Sequence, residues 1–390
     1  MSERPVLAHV TTTDISLALL LGPQLRAFSG AGYDVVGISA PGPHVAQLAE
    51  WGIRHIGLQH ATRAMAPFRD LAALAELRRV FRTLRPTIVH THNPKPGVYG
   101  RLAARTTRVP VVVNTVHGLY ALPTDRRAKR VAVYTLERVA AACSHAELVQ
   151  NPEDIEVLRR LGVPADRLHL LGNGIDLSRF DRAALDANRR HELRAEWGIE
   201  GDGVVCGVVG RLVAEKGYRE VFAAAEQLAD RAPHLTFVVA GPADPEKADG
   251  RDEHVLARAR AAPNIRLLGM RSDVEDLYAA FDLYALASYR EGFPRSAMEA
   301  AAMELPIVAT DIRGCRQVVD HERTGLLVPA RDAGALARAI ERLASDEVTR
   351  RRLGTAAREK ARREFDDRRC IDLTLDVYAR LGAAPQRVAP

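Results

Sequence analysis

Three short groups hold most of the residues able to do chemistry in this 390-residue chain. The first is Gly210-Arg211-Leu212-Val213-Ala214-Glu215-Lys216-Gly217. Two cations five residues apart, framed by glycines that let backbone approach closely, can clamp a diphosphate: arginine through a fork of donors, lysine as a point charge. Neither a Gly-Lys-Ser/Thr loop nor Gly-x-Gly-x-x-Gly occurs, and taken alone the motif is more often a salt-bridged surface turn. The second is Glu291-Gly292-Phe293-Pro294-Arg295-Ser296-Ala297-Met298-Glu299. Glycine and proline ahead of a helical pattern place free N–H groups of a helix start beside Glu291, a seat for phosphate oxygens. Glu299, about one turn in, can accept two hydroxyl hydrogen bonds such as a ribose offers, while Glu291 faces whatever extends past the diphosphate. On its own, Glu299 fits favourable placement near the helix dipole equally well. The third group is His90-Thr91-His92-Asn93-Pro94-Lys95 and Thr115-Val116-His117-Gly118. No carboxylate or cysteine stands beside the histidine pair at zinc-site spacing, which argues against a metal. His117, before a glycine at a strand end, is the better candidate for reaching into a cleft.

The hydrophobic pattern shows what must hold these groups. Short β-branched runs at Val6–Val10, Asp34–Ser39, Thr87–Thr91, Val111–Thr115 and Glu147–Gln150 alternate with amphipathic stretches, the mark of βαβ units on a parallel sheet. Pro67–Leu84 sets Phe68, Leu71, Leu74, Leu77, Phe81 and Leu84 at helical period with Arg69, Arg78, Arg79 and Arg82 off the stripe; it packs on a sheet or lies on a membrane. The polar passage Leu177–Gly203 reads as a linker. Beyond it, Val204–Val209, Leu235–Ala240, Ile265–Leu268, Leu283–Ala287, Ile307–Thr310 and Gly325–Val328 predict a second doubly wound sheet. The spacing therefore predicts an α/β chain of two Rossmann-like domains facing a central cleft. The boundaries are 1–185, 186–365, and a C-terminal helix and tail, 366–390, crossing back to the first domain. Ligands of open α/β sheets bind beyond the carboxyl ends of the strands. There lie Thr11–Ser16, His90–Lys95, His117, Gly210-Arg211, Gly241-Pro242, Gly269–Arg271 and Ser288–Ser296.

Composition narrows the classes. With 47% hydrophobic and 27% charged residues the chain is globular rather than disordered or fibrous. No run of about 18 apolar residues could span a membrane, and Ile15–Leu21 lacks the basic leader and cleavage site of a signal peptide, so a cytoplasmic location is expected. The four cysteines are far apart and read as core thiols. Residues 1–185 hold 23 Lys and Arg against 15 Asp and Glu, a net +8, while the remainder is −2 of the chain's +6. A basic first domain suits an anionic partner: a phosphorylated acceptor, an anionic membrane surface, or nucleic acid. The last has little support, for no binding motif is present and aromatics are only 5%. Asp-x-Asp is absent from the whole chain, so leaving-group charge would fall to the cationic clamp rather than a divalent ion.

Gly-Arg-x4-Lys-Gly, Glu-Gly-Phe-Pro with a second glutamate after seven intervening residues, Ser288, and Thr324-Gly325-Leu326-Leu327-Val328 resemble the C-terminal half of retaining GT-B glycosyltransferases, specifically glycosyltransferase family four (group 1). His-Thr-His-Asn, Thr-Val-His-Gly and Asn173-Gly174-Ile175-Asp176 extend the resemblance over roughly residues 5–380. It implies that Arg211 and Lys216 hold the donor diphosphate, Glu299 the ribose, and Glu291 the transferred sugar, with Gly292, Phe293 and Pro294 supporting sugar and phosphate. It places Gly241, Met270 and Arg271 on the donor side, the last two near the base, and His117 against the sugar near the reacting carbon. His117, Glu291, Arg211 and Lys216 form the implied catalytic set. Thr12, Thr13, His92, Asn93 and Asn173 are implied on the acceptor side. Two departures stand out: Thr11-Thr12-Thr13-Asp14-Ile15-Ser16 replaces a glycine-rich loop, and Gln317 stands where many relatives have a glutamate.

The expected function is a retaining, metal-independent transfer of a sugar from a nucleotide diphosphate donor, UDP-linked, to an anionic acceptor such as a lipid-linked or polysaccharide precursor. No cofactor is required, and peripheral contact with the inner face of the membrane is expected. A nucleotide-sugar 2-epimerase, a phosphorylase, or glycosylation of a small-molecule acceptor are the alternatives within the same fold.

Overall fold

The computed structural model describes residues 4–62, 66–92, 94–121, 125–199, 201, 203–242 and 253–385. Two units emerge, Met1–Gly172 with Asp367–Pro390, and Asn173–Asp366. The first is built on β1 (Val6–Thr13), β2 (Asp34–Ala40), β3 (Arg54–Gly57), β4 (Ile88–His92), β5 (Val111–Val116), β6 (Ala146–Val149) and β7 (Leu168–Leu170). All are parallel, in the order β3-β2-β1-β4-β5-β6-β7. The second carries β8 (Val204–Val209), β9 (Leu235–Ala240), β10 (Ile265–Gly269), β11 (Leu283–Leu286), β12 (Ile307–Thr310) and β13 (Gly325–Val328). Its order is β10-β9-β8-β11-β12-β13, again parallel throughout.

Both orders reverse direction at one place, between β1 and β4 in the first unit and between β8 and β11 in the second. The chain leaves the sheet in opposite directions on the two sides of that point, which opens a crevice at the carboxyl ends of the strands. Helices cover both faces of each sheet, so the strands read as near-continuous apolar runs such as Val204-Val205-Cys206-Gly207-Val208-Val209.

The first unit is closed by its own C-terminus. Helix Asp367–Arg380 packs Cys370, Val377 and Tyr378 into the same core as Leu7, Phe28 and Tyr33. The domain boundary falls earlier than residues 185/186, and the passage after it is not a linker. Asn173 Nδ2 donates to the Phe293 carbonyl at 3.1 Å, and Ile175 N donates to the Phe365 carbonyl at 2.9 Å. Phe180, Leu193 and Trp197 then enter the second unit's core, worth roughly 1.5–3 kcal/mol apiece. Helix Ala187–Glu196 escapes notice in the sequence because its fixing contacts are polar. Arg190 and Arg194 each reach an oxygen of Asp282, both at 2.9 Å.

Two further expectations need amending. Along helix Pro67–Leu84 only Ala73, Leu77 and Phe81 are buried, while Phe68 and Leu71 are 88% and 63% exposed. The stripe divides, its C-terminal half packing on the sheet and its N-terminal half facing outward. Cys206, Cys315 and Cys370 are core thiols, whereas Cys143 is only half-buried.

Candidate active site

In the second unit, the switch point brings the two motifs together. β8 ends at Val209, and Gly210 turns away with φ 159°. Tyr218 OH and Tyr284 OH hold this turn by donating to the carbonyls of Gly210 (2.7 Å) and Val209 (3.1 Å). A short helical turn, Ala214–Lys216, then delivers Lys216, and Gly217 closes it at φ 70°; a Cβ there would sit 2.0 Å from the Ala287 carbonyl oxygen. Only glycine fits so close to the end of β11.

Lys216 Nζ donates to Glu291 Oε1 at 2.6 Å, and Ser288 Oγ donates to the same oxygen at 2.7 Å. The pair is mostly withdrawn from solvent, with side chains 22% and 12% exposed. An ammonium has three donors, so this lysine can keep its glutamate and still reach an incoming anion. Pro294 occupies the cap position of helix Arg295–Ala302, which has no side-chain cap, so its first N–H groups face the same turn as Glu291.

Glu299 lies in the second turn of that helix. Its Oε2 is 3.0 Å from Tyr278 OH, which also lies 3.0 Å from the Ser296 carbonyl oxygen. Capping does not explain it: its partner is a buried tyrosine from helix Val274–Ala280. Protein packed around the carboxyl raises its pKa, against the opposing pull of Arg295, Tyr278 and Arg179. A carboxylate held unwillingly ionised is a strong acceptor for hydroxyl hydrogens.

The remaining donor-side residues are distributed as follows. Arg211 is exposed directly after β8, and Gly241 is pressed against the Gly210 carbonyl, 1.9 Å from where a Cβ would stand. Met270 is 68% exposed after β10. Arg271 is already committed, 2.6 Å from Asp273, whose pKa that hydrogen bond holds down at about 2. Gly292 is half-buried; Phe293 stacks edge-on against Phe365, and its carbonyl takes Asn173. Asn173 thus supports the donor-side loop.

In the first unit, Thr12, Thr13 and His117 line a cavity of about 760 Å³. Its walls are largely apolar: Leu71 and Leu74 from helix Pro67–Leu84, Val98 and Leu102 from helix Pro94–Thr106, Val133 and Leu136 from helix Arg127–Ala141. Its polar lining includes a Lys95–Asp70 pair at 2.6 Å and buried Arg101, which bridges Glu147 and Glu137 at 2.7 Å each. His92 is not an acceptor-side group. It is wholly buried on β4, among His9, His90 and His117. Asn93 lies outside the described residues.

Sequence reasoning missed Tyr278, His9 and the Arg101–Glu147 pair. Polar residues inside otherwise apolar strands, as in Leu7-Ala8-His9-Val10 and Ala146-Glu147-Leu148-Val149, were the available signal.

Two doubly wound parallel sheets, with a cation–glutamate cluster at the second one's switch point, define the GT-B architecture. Residues 24–179 match the family model for glycosyltransferase family 4, and residues 189–360 that for glycosyl transferases group 1. The chain is 33% identical over 307 residues to a D-inositol 3-phosphate glycosyltransferase of Xylanimonas cellulosilytica, covering 75% of this chain and 71% of that one. It is 28% identical over 319 residues, 81% of each chain, to the UDP-Gal:α-D-GlcNAc-diphosphoundecaprenol α-1,3-galactosyltransferase of Escherichia coli. In fold it is similar to Anabaena HepE, solved in complex with UDP and glucose, with a TM-score of 0.80, 20% identity, and coverage of 97% and 100%. The chain belongs to the group 1 glycosyltransferases of family 4 and is a glycosyltransferase.

Proposed function

We propose that this enzyme transfers a sugar, with retention and without a metal, from a UDP-linked donor to a lipid-linked diphosphate or polysaccharide-precursor acceptor. The observation that carries the donor half is the Lys216–Glu291–Ser288 cluster at the second unit's switch point, with Glu299 set one helical turn into the helix that starts beside Glu291. Arg211, Lys216 and the helix start would neutralise the diphosphate as its bond to the sugar breaks. Glu299 would take the ribose hydroxyls and Glu291 those of the sugar. Both carboxylates act as hydrogen-bond acceptors in this reading, so neither is a nucleophile. The acceptor would attack from the face the nucleotide leaves, and the departing phosphate would help remove its proton. His117, whose ring lines the first unit's cavity, is assigned to the reacting sugar.

The acceptor half rests on the apolar walls of that cavity and on where exposed hydrophobics collect. Phe68, Leu71, Tyr120, Val131, Leu136 and Val139 all belong to helices Pro67–Leu84 and Arg127–Ala141 or lie just before the latter, beside Arg126, Arg127 and Lys129. An apolar face edged with cations suits a hydrocarbon-borne diphosphate at an anionic membrane surface. No helix among the described residues is long and apolar enough to cross a membrane. A cytoplasmic enzyme touching the inner membrane face is the corresponding location.

Thermal denaturation with UDP, GDP and ADP in EDTA tests the donor half, since a ligand bound only to the folded state raises its midpoint. UDP alone should stabilise, without added metal; no shift with any nucleotide would leave only the fold. Replacing Leu71 and Leu136 by aspartate should lower binding to vesicles containing phosphatidylglycerol and leave the UDP shift intact. Unchanged vesicle binding would remove the membrane contact.

A further inference from the structure

Four histidines meet in the first unit. β1 and β4 run in register with His9 opposite His90, and β4 and β5 with His92 opposite Thr115; His117 follows β5. His9 Nδ1 lies 2.9 Å from His92 Nε2, and the other nitrogen of His92, Nδ1, lies 3.2 Å from His117 Nε2. The ring centroids are 5.2 Å and 5.4 Å apart, so these rings meet edge to edge, in a line from the buried sheet to the cavity. His90 is different. It stacks face-on against His92 at 4.3 Å and spends its nitrogens on Tyr378 OH (2.5 Å) and Thr115 Oγ1 (2.7 Å).

The cluster does not suit a metal. His9, His90 and His92 offer nitrogens within 4.8 Å of one another. An imidazole lone pair lies in its ring plane, and the stacked planes of His90 and His92 cannot both point at one ion. Both nitrogens of His90 are in use besides.

Burial disfavours a charge on any of His9, His90 and His92. A line of neutral imidazoles has one donor and one acceptor each, so it can run in only two directions. If His117 donated inward, His9 would carry its proton on Nε2, which is buried with no hydrogen-bond partner among the described residues. If the line runs outward, that position holds only a lone pair. A buried N–H without a partner is the rarer and costlier defect. The outward direction wins: His9 Nδ1–H donates to His92, and His92 Nδ1–H donates to His117 Nε2.

We infer that His9 and His92 are positioning residues that lock His117 into the tautomer protonated at Nδ1, with His90, Thr115 and Tyr378 holding His92 from the side. The inference rests on the assignment of His117 to the reacting sugar for its catalytic meaning, but its structural content stands apart from that reading. A fixed tautomer puts the proton of the His117 ring on one defined nitrogen, where an unconstrained imidazole would divide between two forms and favour Nε2–H.

Histidine-selective 15N labelling of the full chain and two-bond 1H–15N correlation spectra at pH 7.5 report the tautomer of each ring, with no donor or acceptor present. In the wild type, His117 should show a protonated Nδ1 and an unprotonated Nε2. In His92→Phe the signature should move toward Nε2–H, with kcat reduced about 10- to 100-fold while donor KM and UDP affinity hold. His9→Leu, which also removes the unpartnered nitrogen, should give a smaller shift in the same direction and provides the test if His92→Phe fails to fold. A wild-type His117 protonated at Nε2, or a tautomer indifferent to both variants, overturns the lock. So does a changed tautomer with unchanged kcat, or a stoichiometric change in these signals on adding Zn²⁺. Absence of UDP stabilisation would instead strike the donor assignment and leave the spectra to be judged on their own.

Discussion

Acidification should undo the first unit before the second. His9, His90 and His92 are each 1% exposed or less, and burial drives their pKa values below the ordinary 6.5, that of His9 to about 3. Each folded-state value is depressed, so below pH 6.5 the unfolded chain binds protons that the folded unit refuses. Stability is therefore intact above pH 6.5 and is lost as pH falls toward the folded-state values. At pH 5.5 the loss is about 1.4 kcal/mol for His9, and His90 and His92 add to it in the same direction. At pH 4.5 the His9 share alone is about 2.7 kcal/mol, a large part of the stability of an ordinary domain. The second unit buries no such cluster among its described residues. The chain's two tryptophans separate the units, Trp51 in the first and Trp197 in the second. Urea unfolding of Trp197→Phe would follow the first unit and of Trp51→Phe the second, each at pH 7.5 and pH 5.5. The first unit's midpoint should fall steeply over that interval and the second's much less, and His9→Leu should remove part of the difference. Midpoints that fall in parallel, or a His9→Leu variant with undiminished pH dependence, would refute the account of neutral buried imidazoles.

Three substitutions address the donor side. Lys216→Ala removes a charge-assisted contact worth about 1.5–3 kcal/mol, so the UDP concentration needed for a given thermal shift should rise about 10- to 100-fold; an unchanged titration would take the diphosphate away from this lysine. Glu299→Gln keeps an acceptor for Tyr278 but relieves a carboxylate whose pKa is raised by its surroundings. Because ionisation above the ordinary carboxylate range costs the folded state, the variant should be more stable at pH 7.5 yet bind UDP more weakly. A variant that is stabilised and binds UDP as before would remove Glu299 from the ribose. Gly217→Ala would set a methyl 2.0 Å from the Ala287 carbonyl oxygen at φ 70°, at a cost of about 3 kcal/mol or more, read as a lowered Trp197 unfolding midpoint. A midpoint within experimental error of the wild type would mean that the turn is free to move.

The inner parallel strands were legible because they are buried on both faces and therefore advertise themselves as apolar runs; β3, Arg54-His55-Ile56-Gly57, lies at a sheet edge, half exposed, and gave no such run. β7, Leu168-His169-Leu170, was hidden for the same reason. Lys216, Glu291 and Glu299 were legible because glycine and proline punctuate the turns that carry them, and spacing survives in sequence. Tyr278 and His9 could not be found that way. Their role depends on which strand or helix lies alongside, which is a property of sheet order and not of spacing. His92 was misread for a related cause: it stands at the carboxyl end of a strand, where ligands bind, but its neighbours across β1 and β5 are themselves histidine and threonine, and they enclose it.

That enclosure bears on why the two switch points differ in chemistry. After β8 the chain offers glycine backbone, a lysine and, after β11, a helix start with no side-chain cap. After β1 the corresponding turn supplies its own anion. Asp14 Oδ1 accepts from the Ile15 N–H at 2.9 Å and Asp14 Oδ2 from the His44 N–H at 2.7 Å, while Gly42 leaves room for the carboxylate. Backbone amides that could cradle a phosphate are thus already engaged by a carboxylate of the chain. An incoming phosphate would have to displace an aspartate of its own sign, so the two switch points, alike in topology, do not offer the same phosphate seat. The first unit instead presents a histidine and two threonines to an apolar cavity, which suits the recognition of hydroxyls beside hydrocarbon. Asp14→Asn keeps one oxygen for these amides and removes the charge. If the carboxylate is what excludes phosphate, this variant should gain weak binding of inorganic phosphate to the first unit, seen as a rise in the midpoint of Trp197→Phe. A midpoint indifferent to phosphate in both backgrounds would show that the turn excludes it by shape alone.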